Sequence, residues 1–174
     1  ILHAPDDLTA GAFSHVLAPW AGRIRNGEFN FEHQRIRVKG VPGTKDDGQG
    51  HIYNGMVRYE TWRVEGYGFD EDKGVSITGT FALNIDAEQF PDVAQLYNPL
   101  TFRVTYWLKG NDVRVEAEVE NHGEQASPVS VGFHPYIDLG SEERRTQTIV
   151  DIPARLHWKA DQMIPSEAEP VSGV

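Results

Sequence analysis

Two consecutive segments alternate apolar and polar residues with a period of two, and this pattern constrains the fold more than any other feature of the chain. In residues 101–108 (TFRVTYWL) and 113–120 (VRVEAEVE), every second residue is apolar, and Lys-Gly-Asn-Asp at 109–112 lies between them. Side chains on a strand point alternately to the two faces of a sheet. The two segments therefore predict an antiparallel β-hairpin with one face in water.

Shorter segments elsewhere show the same period. Residues 75–83 alternate, and residues 57–64 alternate with a change of phase that predicts a β-bulge. Helical spacing occurs only in residues 86–97, where Pro91 limits a helix to a turn or two on either side. Glycine and proline recur at the intervals of an antiparallel sandwich or barrel, which predicts an all-β fold. Further short strands are predicted at 28–32, 35–39, 129–133, 148–152 and 155–158.

Composition excludes several classes of protein. The chain has 174 residues, no cysteine and a formal net charge of −10. Without cysteine there are no disulfides, thiolate metal sites or cysteine nucleophile, and the negative charge argues against nucleic acid as a partner. The seven histidines show no metal-ligand spacing. Because no segment has the length of a membrane span and residues 1–10 lack a signal-peptide pattern, we predict a cytoplasmic protein with no membrane partner.

His134 is the sharpest candidate for chemistry. It follows an apolar segment and precedes Pro135, which favours extended geometry for the residue before it. A histidine held at the end of a strand is suited to proton transfer near neutral pH. The alternative is a hydrogen-bonded histidine with a purely structural role.

A second group of candidates could bind a polyhydroxy ligand. His51, Asn54 and Arg58 follow the glycine-rich segment 40–50, and loops on a rigid sheet often carry binding residues. Arg23 lies in a separate segment, and its planar guanidinium supports paired hydrogen bonds. The alternative is that all four are polar residues that face water.

Taken together, four segments resemble the aldose 1-epimerase (galactose mutarotase-like) family. In chain order they are PWAGRIRNGEFNF, GHIYNGMVRYETW, VGFHPYIDL and MIPSEAEPVSGV. The resemblance covers roughly residues 1–174 and implies an antiparallel β-supersandwich with a sugar site in a cleft on a concave sheet. It further implies a single partial domain, truncated at the C-terminal side, because the family's general-base glutamate and a binding aspartate come from sequence beyond the fourth segment.

The resemblance implies an activity, the interconversion of the α and β anomers of a free hexose, without metal or organic cofactor. A general acid protonates the ring oxygen while a general base takes the proton of the anomeric hydroxyl. Arg23 matches the family's sugar-binding arginine, and His134 matches its general acid. Asn54 stands where the family has a second active-site histidine, and an amide cannot take up a proton. His51, three residues earlier, is a candidate to replace it.

These departures leave other functions open. Asn54 in place of a histidine, and a general-base glutamate that comes from beyond the fourth segment, favour a catalytically weak or inactive carbohydrate-binding homologue. A hexose-6-phosphate mutarotase would need a basic pocket, for which Arg23, Arg25 and Arg58 are the candidates. A structural all-β domain is the remaining alternative. The sequence predicts no oligomeric state.

Overall fold

A computed structural model describes residues 15–137 and 139–171 of the chain. Of these residues, 46% lie in strands and 10% in helices, which confirms the predicted all-β, antiparallel fold of the sandwich class. Helix α1 is Pro91–Tyr97, helix α2 is Glu142–Gln147, and a 3-10 turn covers Arg25–Gly27. In chain order the strands are β1 (His15–Leu17), β2 (Arg23–Ile24), β3 (Glu28–Phe31), β4 (Gln34–Arg37), β5 (Ile52–Tyr53), β6 (Arg63–Asp70), β7 (Gly74–Ala82), β8 (Leu100–Lys109), β9 (Asp112–Asn121), β10 (Gly132–His134), β11 (Leu156–Asp161) and β12 (Ile164–Pro170).

The largest sheet is a four-stranded antiparallel meander in the order β6-β7-β8-β9. Its last two strands confirm the predicted hairpin, with Leu100 opposite Asn121 and Lys109 opposite Asp112. Gly110 in the turn has a φ of 59°, a left-handed conformation that glycine adopts without steric penalty. The other strands form antiparallel pairs, β1 with β10, β2 with β5, β3 with β4, and β11 with β12.

Three of the predicted strands differ from the structure. Residues 57–62 form a turn rather than a strand, and β6 begins at Arg63. The change of phase within 57–62 arises because Val57 packs in the core, with 1% exposure, before the strand starts. A bulge does occur in this strand, but at its beginning, where the β6–β7 register shifts between Val64 and Gly66. Residues 148–152 form no strand, and only the end of 129–133 does so, as part of β10. A strand needs a partner, which the period of a single segment does not reveal.

Helix α1 covers the core at one end of the large sheet. It begins at Pro91, whose missing N–H is no loss in the first turn of a helix. The proline therefore starts the helix rather than interrupting it, and the helix predicted over 86–97 is corrected to its second half. The core joins α1 to β4, β5 and the start of β8 through Trp20, Ile36, Val38, Ile52, Met56, Val93, Ala94, Leu96, Tyr97, Leu100 and Phe102.

One face of the four-stranded sheet is apolar along its length but buried only near α1. There Phe81 lies opposite Phe102, which belongs to the core. At the far end of the same face, Tyr67 and Phe69 are 81% and 74% exposed. Cross-strand register aligns Phe69 with Val75, Leu108 and Val113, all of them exposed. A contiguous apolar row of this kind is typical of a surface that another polypeptide covers.

The 174-residue polypeptide on its own is expected to self-associate as its concentration rises, because the exposed row would then bury against a second molecule. Sedimentation velocity over a concentration series measures this. Phe69→Lys is expected to lower the average mass, since it places a charge within the row. Asn111→Lys adds the same charge in the exposed β8–β9 turn and should not change the mass. A polypeptide that stays monomeric over the whole series would contradict the prediction.

Candidate functional site

The predicted site residues lie on two short antiparallel strand pairs. Arg23 in β2 is opposite Tyr53 in β5. His134 in β10 is opposite His15 in β1. Residues far apart in the chain are therefore neighbours across these pairs, and the segment between β1 and β2 connects one pair to the other.

Backbone contacts bind that connecting segment to residues 54–56. Met56 N–H donates to the Ala18 carbonyl at 2.7 Å, and Asn54 N–H donates to the Gly22 carbonyl at 2.8 Å. Between these two contacts, Gly55 has a φ of 73°, and a Cβ built on it would lie 1.9 Å from the Ala18 carbonyl oxygen. Glycine is therefore required at position 55, where the two segments make their closest approach.

Asn54 also takes part in this contact through its side chain. Its Oδ1 accepts a hydrogen bond from Gly22 N–H at 3.2 Å, which orients the amide and leaves its NH₂ group as a donor. The residue has a φ of 61°, a left-handed conformation in which asparagine and histidine are both enriched. The backbone at this position therefore accommodates either asparagine or histidine.

Arg23 is held by a carboxylate that the sequence analysis missed. Its Nε donates to Asp47 Oδ2 at 2.9 Å, and the Asp47 side chain is 6% exposed. Asp47 Oδ1 accepts from Gln49 N–H at 2.9 Å and from His51 N–H at 3.1 Å. Desolvation raises the pKa of the Asp47 carboxyl, but the hydrogen bonds from Gln49, Arg23 and His51 outweigh it and leave the pKa lowered. Asp47 is therefore a carboxylate at neutral pH.

His51 lies on the inner side of the same loop. It is 7% exposed, and its Nδ1 accepts a hydrogen bond from Asn26 N–H at 3.1 Å. This bond places the proton of the neutral ring on Nε2. The imidazole of His51 bonds to the backbone of Asn26, and direct contact between His51 and a sugar stays a prediction.

Arg58 lies between two tyrosine rings. Its guanidinium carbon is 4.6 Å from the ring centroid of Tyr53 and 4.4 Å from that of Tyr59, and it donates to both hydroxyls. The His15 ring meets Tyr59 edge-on, with centroids 5.2 Å apart. Because His15 is the strand partner of His134, these contacts connect the β2–β5 pair to the predicted catalytic histidine.

His134 is exposed at the end of its strand, where a ligand can reach it. Its ring stacks on Tyr136, with centroids 5.2 Å apart and an angle of 15° between the planes. The stacking limits rotation of the imidazole. The sequence analysis did not single out Tyr136, although it is only two residues from His134.

A groove of about 350 Å³ adjoins Arg58 on the apolar face of the four-stranded sheet. This volume is within the usual range for small-molecule sites. The groove combines aromatic walls with a few charged groups, a combination that suits a ligand with apolar faces and hydroxyl groups. Its lining includes His15, Arg58, Glu60, Trp62 and Tyr106.

The described part of the chain contains neither a metal-binding cluster nor a membrane-spanning helix. Within residues 15–137 and 139–171, no group of three or more His, Cys, Asp or Glu residues is placed to hold a metal ion. Over the same residues, no helix is long and apolar enough to cross a membrane. The adjacent carboxylates of the glycine-rich loop, Asp46 and Asp47, instead pair with Lys39 and Arg23.

Comparisons with known proteins identify a family for this chain. A model of the aldose 1-epimerase family matches residues 2–171. Uncharacterized protein YihR of Escherichia coli (strain K12) is 27% identical to the chain over 138 residues, which are 79% of this chain and 40% of the relative. The chain thus spans about two fifths of the length of this curated relative. No solved structure matches the chain significantly.

Proposed function

The chain belongs to the aldose 1-epimerase family, and from this membership we propose that it interconverts the α and β anomers of a free hexose. Family membership supports a mutarotase-like isomerase with a sugar substrate. The observation that carries the proposal for this chain is the series of contacts that connects Arg23 through Tyr53, Arg58 and Tyr59 to the β1–β10 pair. These contacts support a common site for Arg23, Arg58 and His134.

In the proposed reaction, His134 protonates the ring oxygen of the sugar. A base removes the proton of the anomeric hydroxyl, the bond between the anomeric carbon and the ring oxygen breaks, and an aldehyde forms. Rotation of the aldehyde and reversal of these steps give the other anomer. The resemblance assigns the role of base to a glutamate outside the four matching segments, so the proposal concerns the activity of the whole protein.

Arg23, Asn54 and Arg58 hold the sugar in this proposal. Because the Nε of Arg23 is bound to Asp47, its two Nη groups are the ones directed to hydroxyls. The NH₂ group of Asn54 is a further donor, since its oxygen is bound to Gly22. Arg58 lines the groove on the apolar face of the four-stranded sheet. His51 supports the loop from its inner side.

A carbohydrate-binding homologue with little or no catalysis is the second candidate, and one observation favours it. The Asn54 oxygen is occupied by the Gly22 N–H, and the amide has no proton to exchange with a substrate in the way an imidazole does. In this alternative the site retains its hydroxyl-binding groups. His134 then has no catalytic role.

The substitution Asn54→His separates the two candidates. If the protein is a mutarotase, the variant is expected to match or exceed the normal rate within a few-fold and to show a new titration near pH 6–7, roughly the usual pKa of histidine. Polarimetry of a freshly dissolved aldose against pH measures the rate, with calorimetry for binding. Asn26→His is the matched control, since Asn26 is also left-handed, with a φ of 55°. That control should add no such titration.

A binder would give a different result. The unsubstituted protein would bind an aldose without catalysis above buffer, and Asn54→His alone would not create activity. A protein that neither binds nor turns over any common hexose would contradict both candidates and direct the search to phosphorylated sugars.

A further inference from the structure

Asp47 is a nearly buried carboxylate that joins the glycine-rich loop to Arg23. One oxygen accepts the N–H groups of Gln49 and His51, and the other accepts Nε of Arg23. The backbone of Asp47 is held as well, because its N–H donates to the His51 carbonyl at 3.0 Å. The loop therefore holds the carboxylate in position independently of its contact with Arg23.

The geometry of the contact determines which part of the arginine remains for a ligand. A guanidinium has five N–H donors in one plane. Asp47 binds only the one on Nε, and the guanidinium carbon of Arg23 is 5.7 Å from the Tyr53 ring centroid. The arginine side chain is 24% exposed, whereas the Asp47 side chain is 6% exposed. The Nε edge of the guanidinium is thus bound to protein, which leaves the N–H groups on the two Nη nitrogens as donors for a ligand.

We propose that Asp47 is a positioning residue for sugar recognition, which aims the Nη groups of Arg23 at the hydroxyl groups of the substrate. The inference rests on the proposed function, in which Arg23 binds the sugar. Without the carboxylate, the long arginine side chain would sample several rotamers, and ordering it on binding would weaken affinity.

The neighbouring Asp46 offers a matched control. Its Oδ1 also accepts two loop N–H groups, those of Gly48 at 2.7 Å and Gly50 at 3.2 Å. Its other oxygen pairs with Lys39, at 3.3 Å and largely in solvent. Each aspartate therefore accepts two loop N–H groups, but only Asp47 is nearly buried and contacts Arg23.

The first test compares Asp47→Asn with Asp46→Asn in the complete protein. An asparagine at position 47 keeps an oxygen for the loop N–H groups but turns an NH₂ group, which donates and cannot accept, toward Nε of Arg23. Asp47→Asn is expected to raise KM for the aldose by at least about 10-fold, the usual scale for a lost charged hydrogen bond, with kcat within a few-fold. Asp46→Asn should leave KM unchanged. Equal effects of the two variants would overturn the inference.

A double-mutant cycle tests whether Asp47 acts through Arg23. With Arg23→Gln already present, Asp47→Asn is expected to change kcat/KM by less than about 2-fold, because residues in direct contact are not additive. Additive losses would mean that Asp47 acts on the fold alone, and they would overturn the inference. If Arg23→Gln itself leaves KM unchanged, it is the sugar-binding role of Arg23 that fails.

A readout independent of catalysis distinguishes failure of the positioning role of Asp47 from failure of the proposed function. The ¹⁵N-bound proton on Nε of Arg23 is expected to give a slowly exchanging NMR signal in the unsubstituted protein and in Asp46→Asn. Asp47→Asn should abolish the slow exchange. If this pattern holds in a protein that turns over no aldose, the proposed function fails while Asp47 still positions Arg23. If the signal exchanges slowly in Asp47→Asn, the positioning role is excluded whatever the activity.

Discussion

His134→Ala is expected to lower the rate of mutarotation by about 10²–10⁴-fold in the complete protein, the usual contribution of one positioned acid or base. The imidazole is exposed at the end of β10 and stacked on Tyr136, so it is both accessible to a sugar and restricted in rotation. Alanine removes the proton donor but leaves Arg23 and Asn54 in place. Sugar affinity should therefore change much less than the rate. Polarimetry gives the rate, and calorimetry gives the affinity.

His33→Ala is the control for this experiment. His33 is an exposed histidine in the turn between β3 and β4, and it belongs to none of the contacts that form the site. Its replacement should leave both rate and affinity unchanged. A normal rate in His134→Ala would leave His134 with the structural role that its position at the end of a strand also allows.

Gly55→Ala is expected to destabilise the protein by at least about 3 kcal/mol, which combines the cost of a left-handed alanine with that of forced overlap. At a φ of 73°, the added methyl group would lie 1.9 Å from the Ala18 carbonyl oxygen. Backbone cannot move aside as the end of a flexible side chain can. The contact between residues 18–22 and 54–56 would open, and the site would lose its geometry together with its stability. Urea denaturation of the complete protein measures the change.

Gly40→Ala separates the two contributions. Gly40 also has a positive φ, 85°, but a Cβ built on it meets no atom within 4 Å. Its replacement should cost only the conformational part, about 1–2 kcal/mol. Equal destabilisation by the two substitutions would show that the close approach at Gly55 contributes nothing.

Some parts of the structure can be predicted from the sequence because they depend on residues that are close together in the chain. The hairpin of β8 and β9 was predictable because its strands are adjacent, alternate in step and are joined by a turn that contains Gly110. The all-β class follows from the same period in other segments. Local features singled out Arg23, Asn54 and His134, and the four segments that indicate the family, found in the expected order, then matched each of them to a family position.

Only the tertiary structure decided which residues meet. Asp47 is 24 positions from Arg23 in the chain, and no period or spacing marks the pair. The partnership of His15 with His134 and the burial of His51 are equally invisible in sequence. Contacts of this kind depend on how separate segments pack, whereas a sequence pattern reports only which face of its own segment is apolar. For the same reason, the sequence showed the apolar face of the large sheet, and only the fold showed which end of it is buried.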